Sequence, residues 1–369
     1  MVYALMVVGL VLLVVGAEYL VRGAAKLAAA AGISSLVIGL TVVAFGTSAP
    51  EMAVSAQAAL DNNADIALGN VVGSNIFNVL FILGASSLIV PLLVHLQLLR
   101  LDVPIMIGIS IFTYVICMDG LIGRLDGIIL FAGIITYTVF LIIKSRKETK
   151  AAAAEVDQFV EELLDDDGNP ATPANKNKGL PLAVVQCVGG LVMLVLGSRW
   201  LVDGAIHMAE YFGVSQLVIG LTIVAAGTSL PEVATSIVAA IRGERDIAIG
   251  NVVGSNIFNI LAVLGIAGTL SPNGVHVAES ALAFDIPVMI GVAILCFPIF
   301  FTGGEIARWE GILFLLYYVA YTTYLVLHAK GHPAVDSVKS GILYVMVPLT
   351  IIAVAASLIH ALKNKPKVA

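Results

Sequence analysis

The sequence predicts an all-α integral membrane protein: two inverted five-helix repeats forming a ten-helix core, plus one extra C-terminal transmembrane helix. Three observations predict it. The 369 residues are 59% hydrophobic and only 12% charged, against about 25% charged in soluble domains. So little charge cannot coat a water-soluble globule, which excludes soluble enzymes and disordered scaffolds. The apolar runs, such as residues 5–17, do not alternate as barrel strands do, and a spanning helix needs about 20 such residues. Finally, a long segment of the first half recurs in the second half, five predicted spans later. Five is odd, so the second copy enters the membrane upside down.

Eleven spans are expected, near 2–21, 34–60, 66–90, 101–118, 125–143, 180–201, 215–241, 247–271, 285–301, 309–328 and 341–362. The first has no basic leader and no small-residue cleavage site, so it reads as a retained span. Residues 1–143 and 180–328 are the two repeats, and 329–369 supply the extra helix and a basic tail. Between the repeats lies a polar, acidic linker, 144–179. In it Val156, Phe159, Val160, Leu163 and Leu164 keep helical spacing, which predicts a short amphipathic helix. The run Asp165, Asp166, Asp167, Gly168, Asn169 then ends that pattern. Its spacing is not that of a calcium-binding EF-hand, so a solvated linker is the reading.

With the N-terminus outside, 15 Lys and Arg fall inside and 4 outside. That bias favours a cell-membrane protein with a cytoplasmic 144–179 linker and C-terminus. Net charge is −6, with no basic stripe to grip a nucleic acid. Cys117, Cys187 and Cys296 are isolated in apolar segments, which argues against disulfides, zinc and iron–sulfur clusters. Nothing in the sequence specifies an oligomeric state.

The repeat carries the chemistry. Residues 32–84 and 213–265 match without gaps at 35 of 53 positions, and GNVVGSNIFN recurs unchanged. Fainter echoes follow: LDVPIM at 101–106 against FDIPVM at 284–289, and GRLDG at 123–127 against ARWEG at 307–311. Packing alone favours small and apolar side chains; it does not call for Glu, Asn, Ser and Thr repeated in mid-span. In GTSAPE (46–51) and GTSLPE (227–232), Pro50 and Pro231 lack an N–H, so the carbonyls of Gly46 and Gly227 lose their helical partners. Irregular backbone at that depth must line protein or a cavity.

Glu51 and Glu232 follow directly. A mid-bilayer carboxylate costs about 2.5–3.5 kcal/mol on insertion scales, and no Lys or Arg lies near either in sequence. Repeat symmetry sets the two face to face, where they either take up a proton or hold a cation. Two negative charges match one Ca²⁺ or a pair of Na⁺. Ser48 and Ser229 lie one turn before the glutamates. Ser74 with Asn78, and Ser255 with Asn259, share helix faces at a spacing of four. All these donors are hard oxygens, which suit Ca²⁺, Mg²⁺, Na⁺ or Mn²⁺. Asn75 and Asn256 point to another face and are expected to bond between helices. Asn70 and Asn251 fit either role. Asp65 and Asp246 open spans, where capping or a water-facing position is expected.

With these paired motifs the chain resembles the sodium/calcium exchanger family, within the calcium:cation antiporters. The resemblance covers about residues 1–330. It implies ten core helices and alternating access, in which Na⁺ enters and Ca²⁺ leaves across a membrane, with lipid as surroundings and no cofactor. The family's ligand positions carry over to Ala44, Thr47, Ser48, Glu51, Ser74 and Asn78, and to Ala225, Thr228, Ser229, Glu232, Ser255 and Asn259. The two alanines would offer only carbonyls. Some relatives have Asp at the Asn259 position. Here both equivalents are Asn, which keeps the core charge at −2 and bears on ion number, K⁺ involvement or H⁺ as counter-ion. The expected activity is secondary antiport of Ca²⁺ against Na⁺. Ca²⁺/H⁺ antiport through the same glutamates is the nearest alternative, and a passive cation channel is a more remote one. An enzyme is not expected: there is no GxxxxGK[ST], no HExxH, and every His lies at a span end or in a loop.

Overall fold

The computed structural model describes residues 2–61, 65–163, 180–212 and 225–363. Its first long helix, α1 (Val2–Ala31), is followed by a bent pair, α2 (Ser35–Thr47) and α3 (Ala49–Leu60). Then come α4 (Ile66–Ile89), α5 (Leu98–Asp119) and α6 (Arg124–Leu163). The second half contains α7 (Leu180–Tyr211), α8 (Leu230–Ile241), α9 (Arg245–Leu270), α10 (Ala281–Phe301) and α11 (Arg308–Ala329). A final apolar helix, α12 (Val335–Ser357), follows. Among the described residues, nine helices are long and apolar enough to cross a bilayer, or ten if the bent pair is one span. Of the expected 215–241 span, residues 215–224 lie outside the described residues, as does the acidic run 165–169.

The 34–60 span is broken, as Pro50 predicts: α2 and α3 are bent by 46° at Ser48. Two expectations change. The amphipathic helix expected near 155–164 is not a separate piece, because α6 runs 40 residues without a break. No Gly or Pro interrupts residues 134–163, and the Ala-, Glu- and Lys-rich stretch beyond the apolar part has high helix propensity. Asp246 is not the cap residue of α9; Glu244 holds the N-cap position, and Asp246 lies in the first turn.

The centre is made by α4 and α9. In its most apolar window α9 is 100% buried and α4 72%, whereas α1, α6 and α7 are about one-third buried and bare apolar flanks remain. Val7, Leu10 and Val14 of α1, with Val185, Val188 and Val192 of α7, face outward, as lipid-facing residues must. Two short antiparallel bridges tie the halves together. Leu92 and Leu93 (β1) pair with Ile306 and Glu305 (β4), and Leu121 and Ile122 (β2) pair with His276 and Val275 (β3). Each joins a loop of one repeat to a loop of the other at a single end of the bundle.

Helices α1 and α7 run antiparallel along a glycine seam of period seven. Gly9 meets Gly197 and Gly16 meets Gly190. A Cβ built on Gly190 would fall 2.6 Å from the Gly16 carbonyl oxygen, closer than any real contact. Gly189, one residue away, has nothing within 4 Å. Backbone contact of this kind is how helices associate where lipid supplies no hydrophobic drive. Gly190→Ala should therefore lower the thermal midpoint in detergent by several degrees, an overpacking cost of about 1–3 kcal/mol. Gly189→Ala should leave it unchanged within error; equal effects would refute the seam.

Candidate cation site

The site is built where the two GTS-x-PE breaks meet the two GSNIFN helices. Ser48 (φ −79°, ψ 5°) and Ser229 (φ −89°, ψ 9°) leave helical geometry, and Pro50 and Pro231 fall in the first turn of the helix that restarts. Proline is tolerated there because a first-turn N–H has no partner to lose. The break lies two residues before the proline. Ala44 keeps its carbonyl in a bond from the Ser48 N–H at 3.0 Å. Ala225 opens a short helical turn, Ala225–Gly227.

Glu51 and Glu232 are 1% and 0% exposed. The serine of each repeat donates to the glutamate of the other: Ser229 Oγ to Glu51 Oε1 at 2.9 Å, and Ser48 Oγ to Glu232 Oε1 at 3.2 Å. Since each serine is one turn from its own glutamate, the two carboxylates share one small volume. Ser229 Oγ also reaches Ser74 Oγ at 3.3 Å, and Thr47 Oγ1 approaches Ser255 Oγ at 3.5 Å. Among the described residues no ion pair reaches either glutamate.

Four asparagines form a crossed network. Asn75 Nδ2 donates to the Asn256 carbonyl, and Asn256 Nδ2 to the Asn75 carbonyl, both at 3.3 Å. Their own amide oxygens accept from Asn259 Nδ2 at 3.1 Å and Asn78 Nδ2 at 3.0 Å. The amide of Asn78 or Asn259 is thus fixed by its nitrogen, which leaves its oxygen free. Among the described residues, Glu51 Oε2, Glu232 Oε2, Asn78 Oδ1 and Asn259 Oδ1 are buried with no hydrogen-bond partner. Four matched, orphaned acceptors would each forfeit a desolvation cost in a purely structural core; a cation is what oxygens of this kind coordinate.

Asn70 and Asn251, ambiguous in the sequence, brace the restarted helices. Asn70 donates to Ser55 Oγ at 3.0 Å and the Glu51 carbonyl at 3.3 Å; Asn251 donates to Ser236 Oγ and the Glu232 carbonyl. The halves are not identical. Thr47 donates to Asn251 Oδ1 at 3.0 Å, whereas Thr228 Oγ1 makes no such bond among the described residues and lines a cleft of about 180 Å³ between α3 and α7.

Two features escaped sequence reasoning. The helices loosen into π-helix over Asn78–Leu83 and Asn259–Leu264, each starting at a candidate ligand; such segments mark functional sites, but no residue pattern announces them. Carboxylates withdrawn from the surface also recur outside the site, Asp102 buried and Asp285 half-buried. Tyr137 Oη donates to Asp102 at 2.9 Å and Tyr321 Oη to Asp285 at 3.0 Å. The LDVPIM and FDIPVM echoes carried that signal.

Inverted repeats that meet at a mid-bundle cluster of oxygens are the architecture of a multi-pass membrane transporter. The sodium/calcium exchanger protein family model matches residues 1–143 and 182–327, and the chain belongs to that family. It is similar to the inner membrane protein YrbG of Escherichia coli, 36% identical over 285 residues, covering 74% of this chain and 84% of that protein. The sodium/calcium exchanger MaX1 of Methanosarcina acetivorans is 36% identical over 307 residues, 76% of this chain and 86% of that one. A solved structure of the sodium-calcium exchanger NCX_Mj superposes with a TM-score of 0.70 at 31% identity, covering 86% of this chain and 96% of that one.

Asn75→Leu removes the acceptor that fixes Asn259. It should cost about 1–3 kcal/mol of stability, read as a lowered thermal midpoint. A midpoint equal to that of the parent would remove the asparagines' bracing role.

Proposed function

We propose that this chain exchanges Ca²⁺ for Na⁺ by alternating access at one shared site. The observation that carries the reading is the set of four orphaned oxygens on Glu51, Glu232, Asn78 and Asn259. With Ser48, Ser229, Ser74, Ser255, Thr47, Thr228 and the carbonyls of Ala44 and Ala225, they make an all-oxygen ligand set with two formal charges. Either one Ca²⁺ or several Na⁺ neutralise it. A loaded site crosses between its two open states, while a doubly charged empty one resists because both carboxylates would stay desolvated. That rule couples the two fluxes with no need of ATP. Each repeat, 1–143 and 180–328, gives half of the ligands. The N-terminus lies outside, and the 144–179 linker and C-terminus are cytoplasmic, as the 15-to-4 charge count favours. The two β bridges agree with the span count, since each joins loops that share one side of the membrane, whichever side is inside.

The test is Ca²⁺ flux into proteoliposomes driven by a Na⁺ gradient. Glu51→Gln and Glu232→Gln should each lower it about a hundredfold or more, the consequence of removing one buried charge from a coordinated pair. Flux that follows a pH gradient and ignores Na⁺ would replace Na⁺ by H⁺ as the counter-ion. Flux down a Ca²⁺ gradient with no counter-ion at all would make the protein a channel.

A further inference from the structure

The register that sets Gly9, Gly16 and Gly23 of α1 on Gly190, Gly197 and Gly204 of α7 also superposes charged residues, and with their signs reversed. Glu18 falls on Arg199, and Arg22 on Asp203. Past the ends of α3 and α8, Asp61 falls on Arg242. One end of the bundle therefore carries Glu18, Arg22 and Arg242; the opposite end carries Arg199, Asp203 and Asp61. The two trios share one sequence spacing with every charge exchanged.

The two ends are in different states. Arg242 Nε donates to Glu18 Oε2 at 2.6 Å, and Arg22 lies 2.5 Å from Glu18 Oε1. The Glu18 side chain is only 18% exposed between them, and α1 packs along α8. At the other end Arg199, Asp203 and Asp61 are all exposed. Asp61 accepts from Gln57 at 2.9 Å, and among the described residues Arg199, Asp203 and Asp61 have no ion pair. There α7 stands off α3. The cleft between them runs from Arg199 and Asp203 past Ala53 to Pro50 and Thr228, beside the ligand set.

We infer that these trios are two alternating latches. Glu18–Arg242 closes one end while the site opens through the α3–α7 cleft. When α1 and α7 shift, Arg199 meets Asp61, the cleft shuts, and the Glu18–Arg242 pair parts. The sign reversal lets both latches attract while placing two arginines at one end and one at the other, in line with the Lys/Arg bias that orients membrane proteins. The four residues are positioning residues: they touch no transported ion and bias which state is populated. The inference rests on the alternating access proposed above.

Accessibility tests it without transport. Cys117, Cys187 and Cys296 are replaced by Ala, and Ala53→Cys is introduced as a reporter in the cleft. Vesicles presenting the Asp61 end are treated with a membrane-impermeant maleimide, and labelling is normalised to that of denatured protein. Arg242→Gln should slow labelling about threefold to fivefold, the worth of a partly exposed ion pair. Asp61→Asn should speed it, and Arg242→Lys should label like the parent. Shifts of the same sign for Arg242→Gln and Asp61→Asn, or no shift in either, overturn the latches. Na⁺-driven flux in the same vesicles separates the two ideas. Flat labelling with intact flux removes the latches alone, and opposed labelling shifts without Na⁺-driven flux remove the coupling alone.

Discussion

Two carboxylates, fully buried and with no ion pair among the described residues, set the terms for the rest of this protein. Charge at that depth is costly unless it is compensated. The chain compensates it only in part. Serines from the opposite repeat each satisfy one oxygen of Glu51 and Glu232, and the second oxygen of each is left over. The asparagine network does likewise: it ties the Asn78 and Asn259 nitrogens to the opposite repeat and leaves their side-chain carbonyl oxygens bare. Polar groups in a core are normally paired off completely. Here the pairing stops symmetrically at acceptors, which is the arrangement a transported cation would complete.

Cross-repeat bonding has a consequence for motion. Each glutamate is held by the other half, so the candidate ligand set is assembled only when the two repeats are docked. Yet the two halves are not in equal environments. Thr47 is bonded to Asn251, while Thr228 faces a cleft; α1 lies along α8, while α7 stands off α3. Near-identical segments thus adopt inequivalent packings. A structure built from inverted repeats has a mirror arrangement of comparable energy in which these environments trade places, and two states of similar energy are what alternating access requires. The glycine seam between α1 and α7 fits such movement, because it presents smooth backbone rather than interlocking side chains.

Much of this was legible in the residues. Composition and non-alternating apolar runs give a helical membrane protein, and the 35-of-53 match over an odd number of spans gives inversion. Carboxylates after a proline in mid-span single themselves out because nothing in packing explains them. The misreadings have plain causes. Proline marks a break without saying on which residue it falls, and the geometry gave way at Ser48 and Ser229. Polarity after residue 143 reads as loop, but helix propensity does not stop where hydrophobicity does, and α6 continues. Asn70 and Asn251 could not be assigned because their spacing fits two faces equally well.

The sequence by itself determined the helical class, the duplication, and the chemical identity of the oxygens available for binding, since these follow from local pattern and from the cost of polar groups in lipid. Tertiary structure alone decided who bonds to whom across the repeats, which oxygens are left bare, where the helices loosen into π geometry and which end of the bundle is parted. Those depend on contacts between residues some 180 positions apart and on a choice between two packings that one sequence permits, and no local pattern encodes either.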